Sequence, residues 1–388
     1  MPLPDTERIL LGPGPSLIPP RVIRAMAAPV LSHLDPDFLP LLDDVRLSLR
    51  RVFRADEKAL TLATSGTGTS AMEAAVANAV SDGMRGIVIV TGYFGDRLAQ
   101  IFERYGARVR RIDVEWGRAV DPQRLRDELR REGADVVGIV HAETSTGVRN
   151  PVKELAAIAR ESGALTIVDM VTSLGGQEVD LAGWGVDIAY SCTQKCIGAP
   201  SGLAPIAVSG AARERLVPCR SFYLDLRLLE EYWVGRKYHH TMSSTLIYAL
   251  REALLMVEEE GIDARVARHE RHHRALAAGV EAIGLSLLPP EDERLWTLNT
   301  IRVPKGLDEA AVRRTLLTAY NVEIGAGLGP LAGKIWRVGL MGASSTPQTL
   351  LQFLAALESA LATHWHHVPA GAGAAAASAT LRPQLTTA

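Results

Sequence analysis

The chain has 388 residues, and its 42 basic and 44 acidic side chains leave a formal net charge of −2. Because charges of both signs are intermixed, the sequence favours neither nucleic acid nor an anionic membrane surface as a partner. Although 47% of the residues are hydrophobic, no uncharged apolar run approaches the roughly 20 residues that a membrane span requires.

The cysteines and the first residues indicate a compartment. The three cysteines, Cys192, Cys196 and Cys219, are too few for a disulfide framework. The sequence begins Met-Pro-Leu-Pro-Asp-Thr-Glu-Arg, without an apolar signal core. These features predict a reduced, cytoplasmic protein.

Up to about residue 210 the chain alternates strand-like and helical patterns. Residues 1–20 include Gly-Pro-Gly-Pro and predict an extended N-terminal arm, which either lies on the surface or lines a site. Apolar runs predict strands at 59–64, 86–91, 108–112, 135–140, 164–168, 187–190 and 204–208. Helical spacing is present at 37–53, 69–80, 95–105, 122–131 and 152–161. This alternation predicts an α/β large domain over residues 21–255, with a mostly parallel seven-stranded sheet flanked by helices.

A smaller C-terminal domain is predicted over residues 256–368, after a connecting helix at 243–261. The patterns indicate helices at 263–283, 308–319 and 347–361, and strands at 297–303, 322–324 and 334–339. This mixed order is typical of an α+β domain. The tail, 369–388, is dominated by Ala, Gly, Ser and Thr, and we predict that it is disordered because it has few large apolar side chains.

A glycine-rich loop at 65–69 (Ser-Gly-Thr-Gly-Thr) lies between a predicted strand and a predicted helix. Glycines permit close approach of the backbone, and a helix N-terminus favours an anion, so the loop suits a phosphate. Gly66, Gly68 and Ala71 also match a dinucleotide-binding fingerprint, which requires a carboxylate after the next strand. That strand ends in Thr91 and Gly92, which weakens the dinucleotide interpretation. A turn without a ligand is the other alternative.

Asp169 and Lys195 follow two neighbouring apolar runs, at the ends where sites form in parallel sheets. A carboxylate at the end of an apolar strand needs a partner. A protonated pyridine nitrogen would serve, and so would the N-terminus of a helix. A desolvated lysine has a lowered pKa and can bond covalently to a carbonyl group. Together with the phosphate loop, the pair predicts a pyridoxal-phosphate site.

Two further side chains are candidates with open alternatives. Phe94 follows the predicted strand at 86–91 and either stacks on a planar cofactor or belongs to the core. Arg337 lies on a short apolar strand and either binds a carboxylate or forms a structural ion pair. The histidines at 269, 272 and 273 are expected on a solvated helix face, and neither they nor the histidines at 364, 366 and 367 have convincing metal-ligand spacing.

Over residues 9–362 the sequence resembles the class V (fold type I) pyridoxal-phosphate aminotransferases, closest to the alanine–glyoxylate and serine–pyruvate aminotransferase branch. The motifs that carry the resemblance are Gly-Pro-Gly-Pro-Ser at 12–16, Ser-Gly-Thr-Gly-Thr at 65–69, His-Ala-Glu-Thr-Ser-Thr-Gly-Val at 141–148, Val-Asp-Met-Val-Thr-Ser-Leu-Gly-Gly at 168–176, Ser-Cys-Thr-Gln-Lys at 191–195, Tyr-His-His-Thr at 238–241, Gly-Leu-Gly-Pro at 327–330 and Arg-Val-Gly-Leu-Met-Gly at 337–342. The resemblance implies a fold type I transferase fold and pyridoxal 5′-phosphate as cofactor.

The resemblance also implies roles for individual residues. Lys195 would bind the cofactor covalently and transfer the substrate's proton, and Asp169 would hold the pyridine nitrogen. The remaining implied cofactor contacts are Phe94 and Val171 on the ring faces, Thr144 near the ring hydroxyl, and Thr67, Gly68, Thr69 and Gln194 near the phosphate. In a homodimer with shared active sites, Tyr238 and Thr241 would reach the phosphate from the neighbouring subunit. Arg337, Gly12 and Ser173 would hold the substrate carboxylate.

The implied reaction is transfer of an amino group from alanine or serine to glyoxylate or pyruvate by a ping-pong mechanism. Two positions depart from the family pattern. Relatives often have Pro two residues after the Tyr-His-His-Thr threonine, where this chain has Ser243. Thr69 takes a place where relatives often have His or another polar residue.

Other reactions are open on the same fold. The amine donor could be 2-aminoethylphosphonate or pyridoxamine. A desulfurase or lyase would need a nucleophilic cysteine on a mobile loop, and no cysteine follows Cys219. A nicotinamide dehydrogenase and a non-enzymatic binding protein are less favoured, because the ribose carboxylate is missing and the lysine, aspartate and arginine are all present.

Overall fold

The computed structural model describes residues 7–364 and 366–382. Its strands are β1 (Ile9–Leu10), β2 (Leu60–Gly66), β3 (Arg85–Val90), β4 (Arg108–Asp113), β5 (Val136–Val140), β6 (Ala142–Glu143), β7 (Val148–Arg149), β8 (Leu165–Asp169), β9 (Ile188–Tyr190), β10 (Gly202–Val208), β11 (Leu298–Arg302), β12 (Val322–Glu323), β13 (Gly325–Ala326) and β14 (Ile335–Gly339). All seven strands predicted for the large domain are present in one sheet.

The helices fill the gaps between these strands. They are α1 (Pro20–Met26), α2 (Leu39–Val52), α3 (Gly68–Ala79), α4 (Tyr93–Arg104), α5 (Pro122–Glu132), α6 (Val152–Glu161), α7 (Leu181–Trp184), α8 (Gly210–Arg213), α9 (Leu226–Trp233), α10 (Ser244–Glu260), α11 (Ile262–Ala282), α12 (Glu309–Tyr320), α13 (Pro347–Thr363) and α14 (Ala372–Leu381). None of these described helices has the length and apolarity to cross a bilayer.

The central sheet has the strand order β2-β10-β9-β8-β5-β3-β4. The pairings among β9, β8, β5, β3 and β4 are parallel, and β10 runs antiparallel to both β9 and β2. Strands β5, β8 and β9 are buried along their whole length, which their apolar composition requires. The sheet is therefore mostly parallel, as predicted.

This topology brings polar side chains to one edge of the sheet. Because β3, β5, β8 and β9 run in the same direction, their carboxyl ends meet at that edge. Asp169 is the last residue of β8, and the segments that follow the other three strands carry Phe94, Thr144 and Lys195. The fold therefore places together residues that are far apart in sequence.

The C-terminal part has its own three-stranded antiparallel sheet, in the order β11-β14-β13. A second hydrophobic cluster, separate from that of the large sheet, fills the space between this sheet and α11, α12 and α13. The N-terminal segment joins this part, because β1 pairs in parallel with β12 and Leu11 is fully buried in the same cluster. The arm thus runs from the small sheet toward the large domain.

The prediction of a disordered tail is wrong for residues 372–381, which form α14. Small side chains allow this helix to approach α11 closely, and a Cβ on Gly279 would lie 2.9 Å from the Gly373 carbonyl oxygen. The Glu358 carboxylate accepts hydrogen bonds from Gly371 N at 2.6 Å and Gly373 N at 2.8 Å. Close backbone packing and this capping carboxylate replace the large apolar side chains that the tail lacks. Residues 383–388 lie outside the described part of the chain.

The prediction of a solvated histidine face on α11 is also wrong. His269, His272 and His273 are 0%, 1% and 4% exposed. His269 Nδ1 lies 2.7 Å from the Arg265 carbonyl oxygen, and its Nε2 accepts from Gly342 N at 3.1 Å. The helix is charged but is covered on several sides, because it packs between the two hydrophobic clusters. Within residues 7–364 and 366–382, no group of three or more His, Cys, Asp or Glu side chains could hold a metal ion.

Candidate active site

The glycine-rich loop joins β2 to α3 at the edge of the large sheet. Gly66 has a positive φ of 141°, and a Cβ there would overlap Ser70. A Cβ on Gly68 would lie 2.9 Å from the Val171 side chain. Both positions therefore require glycine, and the N-terminal amides of the 12-residue helix α3 are left at the loop, as a phosphate site needs.

A cavity of about 180 Å³ lies between this loop and the carboxyl ends of the strands. It is lined by nine of the predicted cofactor residues, namely Thr67, Gly68, Thr69, Phe94, Thr144, Asp169, Val171, Gln194 and Lys195. Most of the predicted cofactor residues thus line one cavity of this chain, whereas Tyr238 and Thr241 do not.

Lys195 lies under the N-terminal arm. Its Nζ donates a hydrogen bond to the Pro13 carbonyl oxygen, and a Cβ on Gly14 would overlap the lysine side chain. Ser16 fastens the arm here, because its N–H donates to Gln194 O at 2.9 Å and its Oγ donates to Lys195 O at 2.8 Å. Of the two interpretations of the arm, the structure therefore favours the one in which it lines the site.

Burial lowers the pKa of Lys195 below its usual value of 10.5, and the positive charge of Arg337 lowers it further. The lowered pKa leaves a larger fraction of the amine unprotonated at neutral pH. An unprotonated amine is the form that attacks a carbonyl group.

Asp169 ends β8 and is 2% exposed. Its Oδ1 accepts from Val171 N at 2.8 Å, and burial raises its pKa to about 7. The segment that follows is a turn, so the interpretation of Asp169 as a helix N-cap does not hold. A buried carboxylate with so few partners fits a protonated pyridine nitrogen, which would supply the missing charge.

Two other observations test whether the cavity fits pyridoxal phosphate. Gln194 Oε1 is buried and has no hydrogen-bond partner among the described residues, so nothing prevents the amide from turning to donate from Nε2 to a phosphate. Thr67 and Thr69 are exposed at the start of α3, where both hydroxyl groups can donate a hydrogen bond to a phosphate. The polar groups present therefore match both ends of the cofactor, the ring nitrogen at Asp169 and the phosphate at α3.

Sequence reasoning missed Arg97. This side chain lines the cavity, its Nη1 donates to Thr69 Oγ1 at 2.9 Å, and its guanidinium lies 5.2 Å from the centroid of the Phe94 ring. Arg97 follows Phe94 by three positions on α4, so the two share a helix face. This spacing was the signal that could have indicated Arg97.

Sequence reasoning gave no role to Glu143, although it lies within the motif at 141–148. It is fully buried, and its carboxylate accepts from Phe94 N at 3.3 Å, Gly95 N at 3.1 Å and Ser145 N at 3.1 Å. These bonds cap the first turn of α4 and hold Phe94 at the cavity. Burial raises the pKa of Glu143.

Arg337 on β14 is 7% exposed, and burial lowers its pKa to about 10. Its Nε donates to Ala326 O at 2.6 Å and its Nη1 donates to Thr144 O at 3.4 Å. It forms no salt bridge with any residue in 7–364 or 366–382, which argues against a structural ion pair. The guanidinium therefore has N–H groups available for a ligand.

Ser173 and Gly12, the other two residues predicted to hold the substrate carboxylate, are both buried. The Ser173 hydroxyl is buried without a partner among the described residues. Gly12 is buried within the arm, and its N–H donates to Glu323 Oε2 at 3.0 Å. The Ser173 hydroxyl is free for a ligand, whereas the Gly12 N–H is occupied by the chain itself.

Tyr238 and Thr241 do not line the cavity. Both are exposed, Tyr238 by 57%, in the loop between α9 and α10. This loop lies beside the glycine-rich loop, since the His240 Nε2 and Ser65 Oγ atoms are 2.8 Å apart. Ser243, one of the two departures from the family pattern, caps the N-terminus of α10, and Met242 before it is buried.

A lysine, a strand-end aspartate and a phosphate loop around one cavity of a mostly parallel sheet define a pyridoxal-phosphate enzyme of fold type I. The model of the aminotransferase class-V family matches residues 8–336, and the chain belongs to this family. It is a transaminase that uses pyridoxal 5′-phosphate.

Three relatives show how close the similarity is. The (S)-ureidoglycine–glyoxylate transaminase of Bacillus subtilis is 37% identical, and the match covers 94% of this chain and 93% of the relative. The crystal structure of an alanine–glyoxylate aminotransferase from Nostoc sp. is 46% identical, with a TM-score of 0.91 and coverage of 93% and 97%. The pyridoxamine–pyruvate aminotransferase from Mesorhizobium loti is 30% identical, with a TM-score of 0.93 and coverage of 98% and 99%.

Proposed function

We propose that the chain transfers the amino group of a small amino acid, alanine or serine, to glyoxylate or pyruvate in two half-reactions at one site. The observation that carries this proposal is the placement of Lys195 and Asp169 on one cavity, with Arg337 beside it. Relatives named for glyoxylate at 37% and 46% identity support glyoxylate as the acceptor.

In this proposal each side chain has a defined task. Bound pyridoxal phosphate supplies an electron-withdrawing ring that stabilises negative charge at the substrate Cα. The Asp169 carboxylate keeps the ring nitrogen protonated. Arg337, the Gly12 N–H and the Ser173 hydroxyl group hold the substrate carboxylate. Lys195 Nζ would accept the proton from the substrate Cα and deliver it to C4′ of the cofactor, and the reverse transfer would complete the second half-reaction. Phe94 and Val171 cover the two faces of the ring and exclude water.

Two further donors are weighed against alanine and serine. Ureidoglycine is supported by the name of the Bacillus relative, and pyridoxamine by that of the Mesorhizobium relative. Mixing holoenzyme with each donor separately, 2-aminoethylphosphonate included, identifies the donor that converts the bound cofactor to its amine form. Conversion by none of the small amino acids would contradict the proposed donor class.

Arg337 provides a test of substrate recognition. We expect Arg337→Lys to raise KM for alanine by at least about tenfold, because lysine keeps the charge but loses the bidentate geometry. Arg337→Gln is expected to raise KM by about 100-fold. Initial rates over a range of alanine concentrations measure the effect, with Arg302→Gln, an exposed arginine of the neighbouring strand, as control. An unchanged KM in both Arg337 variants would remove Arg337 from the site.

The proposal includes a homodimer with shared active sites. Tyr238 and Thr241 are exposed and do not line their own cavity, so their implied role requires a second subunit. The same face carries Phe222, 70% exposed, and Tyr223, 45% exposed, and the Phe222 ring stacks on His239 at 5.1 Å. An exposed aromatic cluster of this kind is typical of an interface.

Tyr238 tests this shared site. Tyr238→Phe is expected to raise the Kd for pyridoxal phosphate by about tenfold, because one hydrogen bond to a charged phosphate is lost. Fluorescence titration of the cofactor-free protein measures this Kd, and sedimentation shows whether the dimer persists. The matched control is Tyr320→Phe, which changes an exposed tyrosine at the end of α12. A Kd that does not change in Tyr238→Phe would exclude the hydroxyl from the phosphate site.

A cytoplasmic location belongs to the same proposal. The three cysteines are all unpaired, and two of them, Cys192 and Cys196, are fully buried next to Lys195. Reduced thiols persist in the cytosol. Burial raises the pKa of Cys192 to about 12 and that of Cys196 to about 11, so both remain protonated thiols.

A further inference from the structure

The Glu323 side chain accepts a hydrogen bond from a backbone N–H that the proposed function assigns to the substrate carboxylate. Gly12 N donates to Glu323 Oε2 at 3.0 Å, and a Cβ on Gly12 would overlap this carboxylate. The pairing of β1 with β12 sets the contact, because Leu10 lies opposite Glu323 and Leu11 N donates to Glu323 O at 2.9 Å. The glycine thus lets a carboxylate lie directly against the backbone of the arm.

Arg337 belongs to the same cluster. It lies opposite Gly325 in the antiparallel register, and a Cβ on Gly325 would overlap Pro13 and lie 3.5 Å from the Arg337 side chain. Burial lowers the pKa of Arg337, whereas the negative charges of Glu143 and Glu323 raise it. Among the described residues, no protein group accepts a hydrogen bond from Nη2 of Arg337.

The two carboxylates near Arg337 differ in the number of hydrogen bonds that hold them in place. Glu143 is fully buried, and three backbone N–H groups and a hydroxyl group hold it in place. Glu323 is half-buried, and its side chain has one backbone partner, Gly12 N. Glu323 is therefore the carboxylate that can leave its position at low cost.

We propose that Glu323 is an internal competitor for the substrate carboxylate and sets the affinity of the site for its substrates. The inference rests on the proposed function, in which Gly12 and Arg337 bind that carboxylate. A substrate carboxylate that takes the Gly12 N–H displaces Glu323 and lies close to its negative charge, which repels it. Weakened carboxylate binding favours release of the oxo acid between the two half-reactions, so that the acceptor can enter.

The test separates the charge of Glu323 from its hydrogen bond. Glu323→Gln keeps an oxygen that accepts from Gly12 N but removes the charge, whereas Glu323→Asp keeps the charge. The probe is acetate, which has the carboxylate but no amino group to react, with uncharged acetamide as its control. Competitive inhibition of the alanine reaction, and the change in cofactor absorbance of the holoenzyme, each measure acetate affinity. Glu57→Gln removes an exposed charge far from the site and is the matched variant.

We expect Glu323→Gln to bind acetate about fivefold to tenfold more tightly than the wild type, as removal of one nearby charge predicts. Acetamide affinity and the Glu57→Gln and Glu323→Asp variants are expected to show no such gain. In the background of Arg337→Gln the gain is expected to disappear, because acetate is then no longer held by the guanidinium next to Gly12 and the charge of Glu323. If Glu323 only holds the N-terminal arm in place, the effect of Glu323→Gln is not expected to depend on Arg337.

Failure of this inference and failure of the proposed function give different results. If the wild-type holoenzyme transfers amino groups from alanine but Glu323→Gln binds acetate as the wild type does, the competitor role is wrong and the proposed function stands. If the wild type neither reacts with small amino acids nor binds acetate, the proposed function itself fails. A Glu323→Gln holoenzyme with weaker acetate binding would also overturn the inference, since it would show that the carboxylate supports the site.

Discussion

Replacing Lys195 by alanine is expected to abolish the covalent bond between protein and cofactor and to lower turnover by at least about 10⁴-fold. The size of the effect follows because the amine acts both as the covalent anchor and as the base that moves the Cα proton. Lys195→Arg keeps a cation under the arm but cannot form the bond, so its turnover is expected to be equally low. Reduction with borohydride followed by peptide mass spectrometry shows whether the cofactor is attached.

The control for this prediction is Lys153→Ala, which removes an exposed lysine of α6. It is expected to retain both the attached cofactor and full turnover. Turnover by Lys195→Ala within about tenfold of the wild type would remove the lysine from the reaction. Attachment of the cofactor at another lysine in the wild type would have the same consequence.

The second large effect is expected at Asp169. Asp169→Asn removes the charge that keeps the ring nitrogen protonated, and loss of one partner of a buried ion pair costs about 3–5 kcal/mol, so turnover should fall by about 10²–10³-fold or more. The control is Asp187→Asn, because Asp187 is another mostly buried carboxylate with a raised pKa that lies at the opposite ends of β8 and β9. Equal turnover in the two variants would contradict the role given to Asp169.

Although Asp169→Asn is expected to lower turnover, we expect it to stabilise the protein without cofactor at alkaline pH. Burial raises the pKa of Asp169 from 3.8 to about 7, so ionisation costs stability in the folded state. The contribution of Asp169 to the free energy of unfolding is therefore most favourable at acid pH, and it is lost as pH rises from about 4 to about 7. At pH 8 the cofactor-free Asp169→Asn protein is expected to be more stable than the wild type, on the order of a few kcal/mol. Urea unfolding at pH 5 and pH 8 measures the difference, and a destabilised variant at both pH values would contradict it.

Much of the site was predictable because its residues follow strands. A run such as 165–169 is apolar and rich in β-branched residues, so the strand could be recognised and Asp169 placed at its end. Parallel strands bring such ends together, which is why Asp169 and Lys195 could be paired without a structure. The resemblance supplied the roles of residues outside this edge, including Arg337 and Tyr238.

Other features could not be predicted because they depend on contacts between distant segments. The histidines of α11 have a polar sequence environment, yet packing between two hydrophobic clusters buries them. The alanine-rich α14 has no large side chains, and its order depends on close contact with α11 and on the carboxylate of Glu358. The contact between Gly12 and Glu323 joins residues at opposite ends of the chain, and no local pattern indicates it.

The most direct test of the central claim is a single-turnover experiment with the holoenzyme and alanine in the absence of any acceptor. We predict that one pyruvate is formed per active site, that the cofactor loses its visible absorbance at the same rate, and that glyoxylate then restores the absorbance and yields one glycine. Continuous formation of pyruvate and ammonia without an acceptor, or no reaction until both substrates are present, would contradict the account.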